Sequence, residues 1–237
     1  MIVEQVREIV EGPLDHPWFE RSLLIRPTVP TPRANRFPSQ AVVVTSAARR
    51  LIALAKEGEK LRSIVVEAGE KDPTLHPEFR EISENLRELR GKWFPKAQLC
   101  LLSDQPSLES AEVRRALSCY DRPVLRLEAG FQKTFCALTG EKPEAFRTMV
   151  ENMGRLEVER LIVRACFVRG AVDNSKENEV RAWIRHLDEI RPARVQISTP
   201  ARPQGKSLRP VPKAQMSRIA ELVTEKTGIP VEVCAAH

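Results

Sequence analysis

Residues 161–198 read LIVRACFVRGAVDNSKENEVRAWIRHLDEIRPARVQIS. Leu161–Val168 is short, apolar and alternating, as a half-buried strand is. Asn178–Ile190 then places Val180, Trp183, Ile184 and Leu187 at helical spacing, which gives one buried stripe. Arg194–Ser198 returns to alternation. Strand, helix and strand in this order predict a right-handed βαβ unit with parallel strands.

The same alternation extends in both directions. Ser22–Pro27, Ser63–Ala68, Gln98–Ser103 and Pro123–Ala129 read as strands. Thr45–Lys56, Pro77–Arg90, Pro143–Met153 and Lys213–Thr227 read as amphipathic helices, with Pro77 and Pro143 where a first helical turn tolerates proline. About six strands suit a partial or full barrel, or a doubly wound sheet. The proline-rich stretches Arg26–Pro38 and Pro200–Pro212 read as irregular loops. The expected organisation is one domain over residues 1–237. Residues 1–20 form an N-terminal extension, 21–212 the core, and 213–237 a helix, a short strand and a tail.

Composition narrows the class. Apolar residues make up 42% of the 237 and charged residues 30%, which excludes wholesale disorder and collagen-like architecture. The five cysteines, Cys100, Cys119, Cys136, Cys166 and Cys234, are scattered, and the first 99 residues contain none. No CxxC pair exists, which argues against a disulfide scaffold, a zinc ribbon and a c-type haem site. A scattered, reduced set fits the cytoplasm. No apolar run approaches the roughly 18–20 residues that span a bilayer, so no membrane association is expected. The opening MIVEQVREIVEG carries acids and lacks a signal-peptide core.

The net charge of +6 is concentrated. Residues 21–50 contain six arginines and no acid; residues 190–220 contain seven basic residues and no acid. If the two segments meet, they form a positive surface that attracts an anion. Otherwise they are two solvated loops.

Strand residues alternate between two faces. Arg126 and Glu128 share one face of their strand, Arg164 and Cys166 one face of theirs, and Gln196 and Ser198 one face of the last. Arg26 and Glu67 stand at the ends of the first two. Buried charges must be paired or hold a ligand. The set reads either as an ionic network or as a polar pocket at the mouth where such folds bind ligands.

Taken together, the motifs resemble those of radical S-adenosylmethionine (radical SAM) proteins. The resemblance is strongest to the small iron–sulfur oxidoreductase-like group related to the wybutosine-synthesis enzyme. That group opens GPVPSRRLGRSLGV, and Gly12–Ile25 reads GPLDHPWFERSLLI. A GEPTLHP-type motif corresponds to KDPTLHP at Lys71–Pro77. A threonine–asparagine pair after the third strand corresponds to Ser103–Asp104. LDA followed by ETF corresponds to LEAG at Leu127–Gly130 with KTF at Lys133–Phe135. VKGVND corresponds to VRGAVD at Val168–Asp173, and VQLNTPVRPP to VQISTPARP at Val195–Pro203. The likeness runs in order from Gly12 to about Val223. It implies an α/β fold, a partial (β/α)6 TIM-like barrel with a parallel sheet.

Such proteins carry a CxxxCxxC loop after the first strand, which holds a [4Fe–4S] cluster that binds and cleaves S-adenosylmethionine. Here the loop is Pro27–Gln40, PTVPTPRANRFPSQ, and a gapless register puts Arg33, Phe37 and Gln40 at the three cysteine positions. These clusters need thiolates. A guanidinium only donates, a phenyl ring has no lone pair, and a carboxamide is a poor ligand for a soft metal. The cluster and its radical reaction are therefore not expected. Lys71-Asp72 replaces the Gly-Glu that meets the methionine amine in the family, which also weakens the case for S-adenosylmethionine binding.

The first reading is thus a cluster-less binding or accessory protein that holds a small anionic ligand in the barrel lumen or serves a partner enzyme. The candidate ligand-binding residues are Arg26, Arg33, Arg36, Glu67, Asp72, Asp104, Arg126, Glu128, Arg164, Gln196, Ser198 and Arg202. No catalytic or metal-binding residue is assigned. The second reading is a repurposed enzyme that uses Glu67, Glu128 and Asp72 as acids and bases. The third is an RNA- or tRNA-associated protein; aromatics at 5% and the lack of an RNP motif count against it. His76 is expected to hydrogen-bond near a helix start, and His186 to sit on a helix surface.

Overall fold

The computed structural model describes residues 8–29, 37–202 and 207–234. It falls into two compact units, 1–124 and 125–237.

In the first unit β1 (Val10–His16) and β2 (Glu20–Ile25) form an antiparallel hairpin. β2 pairs in parallel with β3 (Ser63–Val66), and β3 with β4 (Gln98–Ser103). β5 (Arg122–Arg126), which begins in this unit and ends in the second, follows β4 in the strand order. All four residues of β3 are buried, as in a parallel strand covered on both faces. α1 (Gln40–Lys56) connects β2 to β3, and α2 (Phe79–Trp93) connects β3 to β4 after a 3-10 turn at Pro73–Leu75. α3 (Ala111–Ala116) precedes β5.

In this unit α3 is a helix that the sequence reading does not include, and two further elements, α1 and β1, differ from the sequence expectation. α1 starts at Gln40 rather than Thr45. The β-branched Val42, Val43 and Val44 lower helix propensity by only a few tenths of a kcal/mol each. Val43 lies in register with Ala47, Leu51 and Leu54, all fully buried, so packing decides. The second element is β1, which forms inside the stretch read as an extension. Its mixed sequence VEGPLDH carries no clean alternation, and its partner β2 supplies the order.

In the second unit β6 (Ile162–Cys166) pairs in parallel with β8 (Arg194–Ser198), and β8 with β10 (Val231–Val233). β7 (Val168–Gly170) and β9 (Leu208–Pro210) form a separate antiparallel ribbon. α4 (Gln132–Thr139) and α5 (Pro143–Gly154) precede β6, α6 (Glu177–Ile190) precedes β8, and α7 (Lys213–Thr227) precedes β10. The sequence reading does not include α4, which contains Cys136. Nor is the stretch 200–212 wholly irregular, because β9 lies in it.

The single strand expected over Leu161–Val168 is broken at Phe167. The Phe167 N–H still donates to the Ser198 carbonyl (2.8 Å), but the Val168 N–H donates to the Asn174 side chain (2.7 Å). The Trp183 ring packs edge-on to Phe167 at 5.2 Å, and its Nε1–H donates to the Leu127 carbonyl at 2.8 Å. Helix α6 is thereby tied to Leu127 and to Phe167, the residue that follows β6.

The chain is thus α/β with a mostly parallel sheet, as the motif order predicts. Among the described residues, no helix is long and apolar enough to cross a membrane.

Candidate functional site

In the first unit the charged strand ends pair. Arg26, at the end of β2, reaches Glu67 after β3 (2.8 Å) and Glu11 on β1 (2.5 Å). Burial opposes the Arg26 charge, but Glu11 and Glu67 more than offset this and hold the guanidinium above its usual arginine value. Sequence reasoning did not include Glu11, because its relation to Arg26 depends on the hairpin.

Asp72 is buried and surrounded by donors. Its Oδ1 accepts from the Thr74 N–H (3.0 Å), the Thr74 hydroxyl (2.6 Å) and the Ser103 hydroxyl (2.9 Å). Its Oδ2 accepts from the Ser103 hydroxyl (2.9 Å) and the N–H groups of Asp104 (2.8 Å) and Gln105 (3.0 Å). One carboxylate therefore caps the 3-10 turn and ties it to the end of β4. The half-buried Asp104 joins this arrangement through its backbone.

Two positions of the loop that the resemblance assigns to cluster ligands are described. The Phe37 ring stacks on the His76 ring, with centroids 5.8 Å apart and planes at 27°, and Lys71 Nζ lies 5.9 Å from the Phe37 centroid. Gln40 is the first residue of α1, and its N–H donates to the Glu78 carboxylate (2.9 Å). His76 anchors the loop. The Glu78 N–H donates to His76 Nδ1 (3.0 Å), so Nε2 carries the proton and donates to the Pro38 carbonyl (2.7 Å). Arg33 and Arg36 lie outside the described residues.

In the second unit Arg164 on β6 stands opposite Gln196 on β8, which stands opposite Glu232 on β10. One row on, Cys166 stands opposite Ser198. Residues opposed in this way share a face. Glu232 bridges Arg194 (2.5 Å) and the Gln196 Nε2 (2.7 Å). Gln196 is fully buried, and its Oε1 has no hydrogen-bond partner among the described residues. Arg126 Nε lies 2.6 Å from Glu128 Oε1, which also accepts from the Cys166 N–H (3.2 Å). Burial, followed by the Glu128 carboxylate, pushes the Cys166 thiol up. Arg202 is exposed on the loop after β8.

Two residues not singled out from the sequence organise this end of the unit. The buried Asn174 donates through Nδ2 to the carbonyls of Glu128 (2.8 Å) and Cys166 (2.9 Å) while accepting from Val168. Its only signal was its place directly after the VRGAVD motif. The buried Glu179 accepts from the Gly130 N–H (3.1 Å) and the Thr134 hydroxyl, fixing the start of α4. His186 is not a free surface residue either: its Nε2 lies 3.1 Å from the Gly130 carbonyl and its ring meets Phe146 edge-on.

Several solved structures share the fold of this chain. One is TYW1 with a lysine–pyruvate adduct bound, at 12% identity and a TM-score of 0.65, over 89% of this chain and 76% of that one. Another is a radical SAM methyltransferase from Sphaerobacter thermophilus, at 17% identity and 0.56, over 84% of this chain and 58% of that one. This is the radical SAM fold. A domain of pyruvate-formate lyase-activating enzyme from Bacteroides vulgatus shares it at 14% identity and 0.55, over 72% of this chain and 98% of that domain. No protein-family model matches the sequence, and no curated protein does.

The radical SAM fold raises the question of whether the residues present suit an iron–sulfur cluster and S-adenosylmethionine. They do not. Phe37 contacts His76 and Lys71 and offers no lone pair, and Gln40 is built into a helix start. Among the described residues, no three His, Cys, Asp or Glu side chains gather as a metal-binding group. At the position of the family's Gly-Glu turn, the Asp72 oxygens are filled by the protein's own donors.

Proposed function

We propose that this chain keeps the radical SAM fold without its radical chemistry. It acts as a binding or accessory protein, holding a small anionic ligand against the polar strand ends or presenting it to a partner enzyme. The observation that carries the reading is the Phe37 ring stacked on His76, at a position where the resemblance requires a thiolate. The carboxylates of the second reading are already engaged: Asp72 by six donor contacts, Glu67 by Arg26, and Glu128 by Arg126 and a backbone N–H. That supports positioning over acid–base work. Arginines remain prominent on the strand faces, as an anion site requires.

The test is anaerobic purification followed by reconstitution with iron and sulfide. The expected product holds neither metal nor sulfide in stoichiometric amount and shows no charge-transfer band. A stable cluster near one per chain that reacts with S-adenosylmethionine would overturn the reading.

A further inference from the structure

The β7–β9 ribbon sets Arg169 directly opposite Arg209. Side chains opposed in an antiparallel pair emerge on one face with Cβ atoms about 4.5–5.5 Å apart, and like charges so placed repel. Neither arginine has an ion pair among the described residues, and the Arg169 Nε is buried without a hydrogen-bond partner. The sequence places no acid between residues 190 and 220 to offset Arg209.

The ribbon cannot relieve this conflict by drifting apart. The Ala171 N–H donates to the Ser207 carbonyl (2.9 Å), Asn174 holds Val168, and the Thr199 hydroxyl accepts from the Val211 N–H (2.8 Å). Gly170 has φ of +127°, and a Cβ there would lie 2.0 Å from the Ser207 carbonyl oxygen. The turn thus brings two backbones closer than any other residue permits. The two arginines therefore start from backbones held side by side.

We propose that Arg169 and Arg209 form a clamp for a phosphate monoester. Two guanidinium groups on one face of the ribbon carry two positive charges. A carboxylate offsets one of them, whereas a phosphate monoester carries about −1.5 to −2 at neutral pH and three acceptor oxygens. The inference rests on the anion-binding reading above and gives it a ligand class and an anchor that the candidate set lacked.

The experiment is calorimetric titration of the full chain with inorganic phosphate at constant ionic strength, with glycerol 3-phosphate, acetate and a single-stranded RNA lacking terminal phosphates as comparisons. Phosphate and glycerol 3-phosphate bind saturably, and more weakly at pH 5.5 than at pH 7.5, because the monoester dianion takes up a proton near pH 6 and the inorganic dianion at a somewhat higher pH. R209Q and R169Q each lower the affinity about tenfold or more, as loss of a charge-assisted bidentate contact does. R218Q, on the exposed face of α7, leaves it unchanged. Without phosphate, R209Q has a higher melting temperature than the parent, because the repulsion is gone; a lower one in a variant with normal circular dichroism counts against the clamp. Acetate binding as tightly as phosphate, or RNA binding more tightly than the monoester, overturns the assignment. Phosphate binding that survives both R169Q and R209Q removes the clamp but leaves anion binding standing. No binding of phosphate or acetate removes both.

Discussion

The Ser103 hydroxyl lies 2.9 Å from each oxygen of the buried Asp72 carboxylate. This contact joins the end of β4 to the turn after β3, and the Asp104 and Gln105 N–H groups close on the same carboxylate. Replacing Asp72 by alanine leaves these donors without an acceptor. A buried group stranded in this way costs about 1–3 kcal/mol. D72A is expected to lose stability by about that amount or more in urea unfolding. Formate, which restores a small carboxylate, recovers part of the loss in D72A but not in the parent.

Asn174 connects three segments through one carboxamide. N174A removes two donated bonds and one accepted bond in a buried place. We expect a loss of about 2–3 kcal/mol, at the upper end for a single polar truncation. Amide hydrogen exchange at Val168 then rises more than exchange within β4, which lies in the other unit.

Gly130 is enclosed by α6. A Cβ there would meet the Glu179 carbonyl oxygen at 2.2 Å and the Trp183 nitrogen at 2.7 Å, both backbone atoms that cannot swing aside. G130A is expected to destabilise by about 1–3 kcal/mol, the range for forced overpacking, or to abolish soluble expression. An unchanged unfolding midpoint would show that α6 sits further from the β5–α4 turn.

Cys100 is fully buried on β4, and burial pushes its thiol up to about 12 from an ordinary value of 9.0. Tyr120, buried nearby in sequence, is raised for the same reason. In both cases the folded state retains a proton that the unfolded chain releases. The associated stability is fully present below pH 9 and is lost as pH rises toward 12. Unfolding free energy should therefore fall across that window, and less steeply in C100A. At pH 8 iodoacetamide should modify Cys100 far faster in the unfolded chain than in the native one.

The parallel strands and the main helices were legible because their signals are local. Lys213–Thr227 has the same bounds in sequence and structure, since Met216, Ile219 and Val223 repeat at helical spacing and are all buried. The site was less legible. Arg26 was marked as a charge in need of a partner, yet Glu11 became that partner only when β1 folded back on β2. Asp72 was marked as a carboxylate, but nothing in KDPTLHP foretells that Ser103 and two N–H groups 31–33 residues away converge on it. The opposition of Arg169 and Arg209 is a matter of register between two three-residue strands separated by 37 residues, one of them inside a stretch that reads as loop.

By itself the sequence determined the order of βα units and the chemistry of the loop after the first strand. Both follow from residue type and spacing: apolar periodicity selects the elements, and a chain with no cysteine before residue 100 cannot supply thiolates there. Only the tertiary structure decided which polar groups meet. A hydrogen bond or ion pair is made within about 3 Å, and the sequence distance between its partners has no bearing on that length. For that reason Asp72 is a filled acceptor, Phe37 is a packing residue, and Arg169 faces Arg209.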